Sequence, residues 1–378
     1  MLVKSTLSIF FLLISFWYAA YAQVDSSRVE QHKPSLVIEA EIENGGILAS
    51  GDIKNVTFKD AYYNGFNLKV GWRIHSSSDQ YFRLYNNPIY GIGFYSSTFH
   101  NSPVGNPYAV YGFVQTPFGK FKSERWMFDY RIGLGLSGNF RPYDEENNPF
   151  NLAIGTKNNV FIDFGIRSQY RLTPKLRVGV GLAFHHFSNG ALRLPNSGVN
   201  LVPLTASLTY QPDGRIFKRD TTSIAPYPKK IFLHFNYGAG LKQVARDRDK
   251  RYFKSTMSVY ASRHISHKWR IGGGADLFYS GSGNSEEIAE DMSGKLSAKL
   301  SGGPAFYLVH VLNNNLVLNG NIGYYIHNQE FNGEINKFFL RAGFRYYVYQ
   351  NLNAGVSIKA HMGKADFIEW TVGYTLFR

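Results

Sequence analysis

Leu176-Arg177-Val178-Gly179-Val180-Gly181-Leu182-Ala183-Phe184-His185-His186-Phe187-Ser188 alternates without a break. Successive side chains of an extended strand point to opposite faces. One face therefore carries Leu176, Val178, Val180, Leu182 and Phe184, and ends in His186 and Ser188. The other carries Arg177, Gly179, Gly181, Ala183 and His185.

Two upstream segments have the same pattern. Trp126, Phe128, Tyr130, Ile132, Leu134 and Leu136 oppose Asp129, Arg131, Gly133, Gly135 and Ser137. Val160, Ile162, Phe164 and Ile166 oppose Asp163, Gly165, Arg167 and Gln169. Apolar faces backed by charged, glycine-rich ones invert the order of a water-soluble barrel. They fit a lipid-facing wall around a narrow polar interior, in which Asp129, Arg131, Asp163 and Arg167 are expected to form buried ion pairs. A soluble β-sandwich would need a second apolar face to pack on.

Extending this reading gives strand candidates near 35–44, 66–74, 88–98, 106–116, 125–138, 158–171, 175–188 and 200–211. A second set runs near 230–242, 251–263, 267–280, 294–311, 315–327, 336–348, 352–362 and 366–377. Most are close to the roughly 9–11 residues that a tilted transmembrane strand needs. The fold class is all-β, a transmembrane antiparallel β-barrel. Between the sets, residues 212–229 are polar, basic and proline-bearing and read as a linker. Its length favours two tandem barrels of roughly eight strands over one of about sixteen.

The halves are alike. Phe164-Gly165-Ile166-Arg167 matches Ala342-Gly343-Phe344-Arg345, and Gly179 to His185 aligns without gaps on Gly355 to His361. An old duplication explains both matches.

Lys4, the apolar run Leu7 to Trp17, and Ala20-Tyr21-Ala22 read as a secretory signal peptide spanning 1–22. The mature first half is then 23–211 and the second 230–378. No later apolar run is long enough for a membrane helix, and mean hydropathy is -0.24. With 26 Tyr, 30 Phe and 37 Gly the composition is that of an aromatic-girdled barrel. The chain has no cysteine, which excludes disulfides and thiolate metal sites. A net charge of +14 favours anionic partners. Nucleic acid is not expected for an exported β protein, so phosphate-bearing lipid is favoured.

His186 and Ser188 continue a lipid-facing row. On the next segment, Asn200, Val202, Leu204, Ala206, Leu208 and Tyr210 make a matching outward row. Pro195-Asn196-Ser197-Gly198 is a turn signal between them, and a pairing that makes Ser188 and Asn200 neighbours closes a compact loop. Polar groups against acyl chains are costly unless they serve a purpose. In an even-stranded barrel entered from the periplasm, the loop joining strands seven and eight lies outside. The cluster is therefore placed at the outer leaflet.

Residues two apart on a strand lie about 7 Å apart on one face, within reach of an imidazole acting on a hydroxyl. Serine needs such a base to become nucleophilic, and the base needs a third group to orient it. Asn200 is the candidate for that third role.

The run His186-Phe187-Ser188-Asn189-Gly190, followed by Pro195-Asn196-Ser197-Gly198-Val199-Asn200, resembles the active-site hairpin of the outer-membrane lipid A 3-O-deacylases, the PagL family. The resemblance implies an eight-stranded barrel in the bacterial outer membrane, with lipid A of the outer leaflet as substrate and no cofactor or metal. It implies His186 as general base and Ser188 as nucleophile, with Asn189 and Gly190 in the segment that helps to form the oxyanion hole. The family's orienting glutamate falls on Asn200. No activity is carried over to 230–378, where no serine follows His361. His361, Lys359 and Glu369 are expected to form an interior polar network.

Arg193 and Arg141, in outer loops, are expected to meet lipid A phosphates. Asp144-Glu145-Glu146 and the group Glu286, Glu287, Glu290 and Asp291 read as solvated loops. The competing functional class is a non-catalytic barrel, structural or porin-like.

Overall fold

The computed structural model describes residues 33–48, 62–74, 80–100, 103–118, 123, 125–216, 224–246, 249–284, 293–361 and 364–378. The expected signal peptide, 1–22, and the acidic group at 286–291 lie outside the described residues. The first eight strands are β1 (Ser35–Leu48), β2 (Tyr62–Arg73), β3 (Ile89–Phe99), β4 (Gly105–Pro117), β5 (Trp126–Phe140), β6 (Asn159–Arg171), β7 (Leu176–Ser188) and β8 (Val199–Tyr210). The second eight are β9 (Ile231–Gln243), β10 (Arg251–His264), β11 (Trp269–Ser280), β12 (Leu300–Val311), β13 (Leu316–Tyr324), β14 (Phe338–Tyr349), β15 (Leu352–His361) and β16 (Lys364–Leu376). Two short helices accompany them, α1 (Gln80–Leu84) and α2 (Leu296–Lys299).

The strands form two closed antiparallel barrels, β1–β8 and β9–β16. The first closes by pairing β1 with β8, from Ile38↔Tyr210 to Leu48↔Asn200. The second closes through β16 and β9. Closure removes every free sheet edge, a condition for strands in hydrocarbon, where no water can satisfy an open edge. No described helix is long and apolar enough to cross a membrane, so crossing falls to the strands. One expected strand begins late. Residues 296–299 are helical, and β12 starts at Leu300.

Alternation holds around both walls. Val180, Leu204, Ile42, Trp370 and Val372 are exposed, whereas the adjacent residues Gly179, Thr205, Glu41 and Thr371 point inward and are buried. Aromatic side chains mark the rims, with Tyr62 and Tyr108 at one end of the first barrel and Trp126 and Tyr210 at the other. Trp126 also packs on Tyr170 at 4.9 Å. Amphipathic rings at both interfaces are expected of a membrane barrel.

The interior is charged. Arg131 Nε donates to Asp163 at 2.5 Å, and Arg167 Nε donates to Asp129 at 2.8 Å, as the alternation predicted. The array is larger than those four residues. Glu39 and Glu41 on β1 accept from Lys69 Nζ, each at 2.7 Å, and Arg131 also reaches Glu41 at 3.2 Å. His185 points inward between Glu43 at 2.8 Å and Asp163 at 3.1 Å.

The second barrel has its own array. Arg341 bridges Glu369 at 2.7 Å and Asp276 at 3.0 Å, and Lys359 meets Asp366 at 2.9 Å. His361 Nε2 lies 2.9 Å from the Tyr325 hydroxyl. His361 and Lys359 thus share one interior network, while Glu369 belongs to a second, centred on Arg341.

The matched segments occupy equivalent strands. Phe164–Arg167 and Ala342–Arg345 lie on the sixth strand of their barrels, and Gly179–His185 and Gly355–His361 on the seventh.

The barrels touch at both ends. At the end carrying the even-to-odd connections, the α1 segment leaves the first barrel, and the Tyr85 hydroxyl donates to Val311 O at 2.6 Å. Tyr81 and Tyr85 join one buried cluster with Val311, Val317 and Tyr347 of the second barrel. Lys268 Nζ sits 4.1 Å above the Tyr85 ring. At the opposite end, Arg246 stacks on Tyr143 at 5.4 Å, and the β7–β8 loop meets the tips of β9 and β16.

Candidate active site

The site grows from the β7–β8 hairpin. On β7 the outward row runs from Leu176 through Phe184 to His186, and His185 and Phe187 are buried in the interior. Asn200 opens the outward row of β8. The register differs from the expected one, because His186, not Ser188, stands opposite Asn200. The offset is two residues, which leaves every side chain on its expected face.

This pairing sets the geometry. His186 Nδ1 lies 2.6 Å from Asn200 Oδ1. An amide oxygen only accepts, so Nδ1 carries the proton and the Nε2 lone pair is left for a substrate or nucleophile. Ser188 follows on the same face at the strand end and is 2 % exposed.

The loop is organised by Asn189 and Asn196. The Asn189 backbone N–H donates to Asn196 Oδ1 at 3.0 Å, and Asn189 Nδ2 donates to Thr156 Oγ1 at 3.0 Å and Arg193 O at 2.9 Å. Asn196 Nδ2 is buried and has no partner among the described residues. The sequence reading passed over Asn196 as a turn residue. Its signal was an amide closing a loop beside a candidate nucleophile. Gly190 and Ala191 both have positive φ, 62° and 59°, which reverses the chain directly after Ser188-Asn189. Arg193 is exposed at the loop tip.

Gly198 was a second omission. Its φ is +77°, and a Cβ placed there would come within 2.8 Å of His186 Cε1. The ring is thus held between Asn200 and the Gly198 backbone. Gly198→Ala should strain the turn and push the imidazole off Asn200, lowering turnover about tenfold or more. Steady-state kinetics of the variant, with its folded barrel checked by heat-modifiable gel mobility, measure this.

Beside the hairpin, the 141–158 loop carries the acidic run. Asp144 Oδ1 accepts from the Asn147 N–H at 2.8 Å, the Asn147 amide at 3.0 Å and the Glu146 N–H at 3.1 Å. The Asn147 N–H, foremost among these donors, holds the Asp144 carboxyl below its usual range. Its Oδ1 is thus engaged within the loop, and no cluster of three potential metal ligands occurs among the described residues. A cavity of about 600 Å³ opens there, lined among others by Tyr108, Arg141, Asp144, Lys157 and Asn158.

Residues 66–209 match the family described as "Lipid A 3-O-deacylase (PagL)", and residues 231–378 match "Acyloxyacyl hydrolase, C-terminal domain". No curated protein sequence matches the chain. Among solved structures, Neisserial surface protein A is similar at 12% identity and a TM-score of 0.32, covering 48% of this chain and 99% of its own. The NanC porin shares 9% identity at a TM-score of 0.15, covering 89% and 97%. A Rhodopseudomonas blastica porin mutant shares 6% at 0.18, covering 91% and 100%. The two family matches together span more than three quarters of the chain, and on them the protein belongs to the PagL lipid A deacylase family of the outer membrane, in a two-barrel form.

Proposed function

We propose that the protein hydrolyses the ester-linked acyl chain at the 3 position of lipid A by a serine-histidine mechanism at the outer end of β7 and β8. The observation that carries this reading is the 2.6 Å contact between His186 Nδ1 and Asn200 Oδ1, with Ser188 next on the same face. In the first step His186 Nε2 takes the hydroxyl proton as Ser188 Oγ attacks the ester carbonyl. Gly190 N–H and Asn196 Nδ2 are the donors proposed for the oxyanion, because the Asn189 N–H is occupied by Asn196 Oδ1. His186 then returns the proton to the departing sugar hydroxyl. Water, activated by the same imidazole, releases the fatty acid and restores Ser188.

The cavity in the neighbouring 141–158 loop is the proposed seat of the headgroup. Arg141 and Lys157 on its wall, with exposed Arg193 nearby, offer cations to the phosphates of the headgroup. Purified protein incubated with lipid A should release a 3-hydroxy fatty acid, identified by mass spectrometry of both products. Intact lipid A after prolonged incubation with folded protein would refute the assignment.

Asn200 is the point where this chain leaves the family pattern. A neutral amide orients the ring but stabilises the imidazolium of the transition state less than a carboxylate does. It also has a wrong face, since rotation would present Nδ2 and fix the opposite tautomer. Asn200→Asp is isosteric and removes both handicaps, so kcat should rise roughly tenfold, whereas Asn200→Ala should lower it by about as much. Equal rates for all three would remove Asn200 from the mechanism.

A further inference from the structure

The second barrel carries no serine beside its histidine, yet it lies against the hairpin of the first. Gln243 ends the outward row of β9, after Phe235, Tyr237 and Leu241, where an amide would face lipid. It is 2 % exposed. Its backbone N–H donates to Ala191 O at 2.9 Å, and its Oε1 accepts the Leu194 N–H at 2.8 Å. Its Nε2 donates to Ala245 O at 2.9 Å, which fixes the amide orientation.

Ile368, on the outward row of β16, supplies the apolar half of the contact. A Cβ at Gly190 would fall 2.3 Å from Ile368 Cγ1, so the two segments meet at a distance that only glycine permits. On its other side the loop rests on its own barrel, through the Gly198 N–H to Ala153 O at 3.0 Å and Asn189 to Thr156. Residues 190–194 are thus clamped between two barrels, directly after the nucleophile.

We infer that Gln243 and Ile368 of the second barrel are positioning residues for the deacylation site, holding Gly190 to Leu194 in the conformation that the oxyanion segment needs. This rests on the assignment of Ser188 and His186 above. A buried amide on a lipid-facing row is costly unless its groups are satisfied, and here Ala245 of its own barrel turns the Nε2 inward while Leu194 of the loop satisfies Oε1. Misplacement of a reacting group by about 1 Å costs on the order of a hundredfold in rate, so a clamp several residues from the chemistry can govern turnover.

The full-length chain tests this directly, because it has no cysteine of its own. The 2.9 Å hydrogen bond from the Gln243 N–H to Ala191 O limits the Cα separation to at most about 6.8 Å, the upper end of the range that a disulfide spans. Ala191→Cys with Gln243→Cys should therefore crosslink in outer membranes and in detergent, and failure to crosslink would overturn the docking. Reduction of this variant should lower kcat tenfold to a hundredfold, and reoxidation should restore it. Gln243→Leu should lose a similar factor in kcat with KM within about twofold. Unchanged kcat in Gln243→Leu, or in the reduced cysteine pair, would overturn the positioning role. If the wild-type chain released no fatty acid, the reading of the Ser188 site would fall, while the crosslink would still decide the docking by itself.

Discussion

Ser188→Ala should abolish release of fatty acid from lipid A while leaving the barrel folded. The size of the loss follows from how a serine-histidine site divides its work. In a complete triad, removing the serine costs about six orders of magnitude, and exchanging the orienting aspartate for asparagine alone costs about four. Much of that second penalty arises because the asparagine fixes the wrong tautomer of the histidine. Here Asn200 Oδ1 faces Nδ1 at 2.6 Å, which fixes the productive tautomer, and while the amide keeps that face the missing charge is the remaining handicap. The wild-type site therefore keeps most of its advantage, and the alanine variant should fall by at least roughly a thousandfold. Product release measured by mass spectrometry, with heat-modifiable mobility as the folding control, gives the number. A variant that retains a tenth of wild-type activity would exclude Ser188 as nucleophile.

The largest expected effect on stability lies in the interior of the first barrel. Arg131 Nε and Nη2 donate to Asp163 at 2.5 and 3.2 Å, and Nη2 also donates to Glu41 at 3.2 Å. All three side chains are fully buried. Arg131→Met keeps the bulk but leaves two carboxylates facing each other in a low-dielectric lumen. Breaking a buried pair outright costs about 3–5 kcal/mol, and the cost here is smaller by what Lys69 still matches of Glu41 at 2.7 Å and His185 of Asp163 at 3.1 Å. The urea midpoint of the variant should fall accordingly. Adding Asp163→Asn, which removes one stranded charge, should recover part of the loss. No change in midpoint for Arg131→Met would mean that the array contributes nothing to the folded state.

Most of the architecture was legible from period-two alternation. A lipid-facing wall demands an apolar residue at every second position, and that constraint marks all sixteen strands, fifteen of them to within four residues and β12 six residues too early. It also sent Asp129, Arg131, Asp163 and Arg167 to the lumen. Alternation fixes the parity of a register and not its offset, so the β7–β8 pairing could slide by two residues without moving a side chain to the wrong face. This is why Ser188 was expected opposite Asn200 where His186 stands. The α1 helix escaped notice because five residues are too few to show a helical period. Glu39, Glu41 and Glu43 alternate with Ile38, Ala40 and Ile42, so their interior placement was readable once the face of β1 was assigned.

The site was legible in part. His186, Ser188 and Asn200 stood out as polar residues on a row where lipid forbids them. By the same rule Gln243 should have stood out, since it ends an outward row of Phe235, Tyr237 and Leu241. A lone polar residue at a rim has an easy solvated explanation, and only the closed three-dimensional arrangement shows the loop that covers it. The roles of Asn196 and Gly198 depend on contacts made across the hairpin, which spacing along the chain does not encode.

The two bridges between the barrels are crossed. At the outer end the second barrel steadies a loop of the first, and at the inner end Tyr81 and Tyr85, carried by the first, lodge against lumen-facing Val317 and Tyr347 of the second. Each half of the duplication therefore lends the other something that a self-sufficient barrel would have to supply alone. Such a trade makes fission a one-way loss. Cut at the linker, the front half would keep its serine and histidine but not its splint, and the rear half would lose the aromatic stopper at its inner mouth.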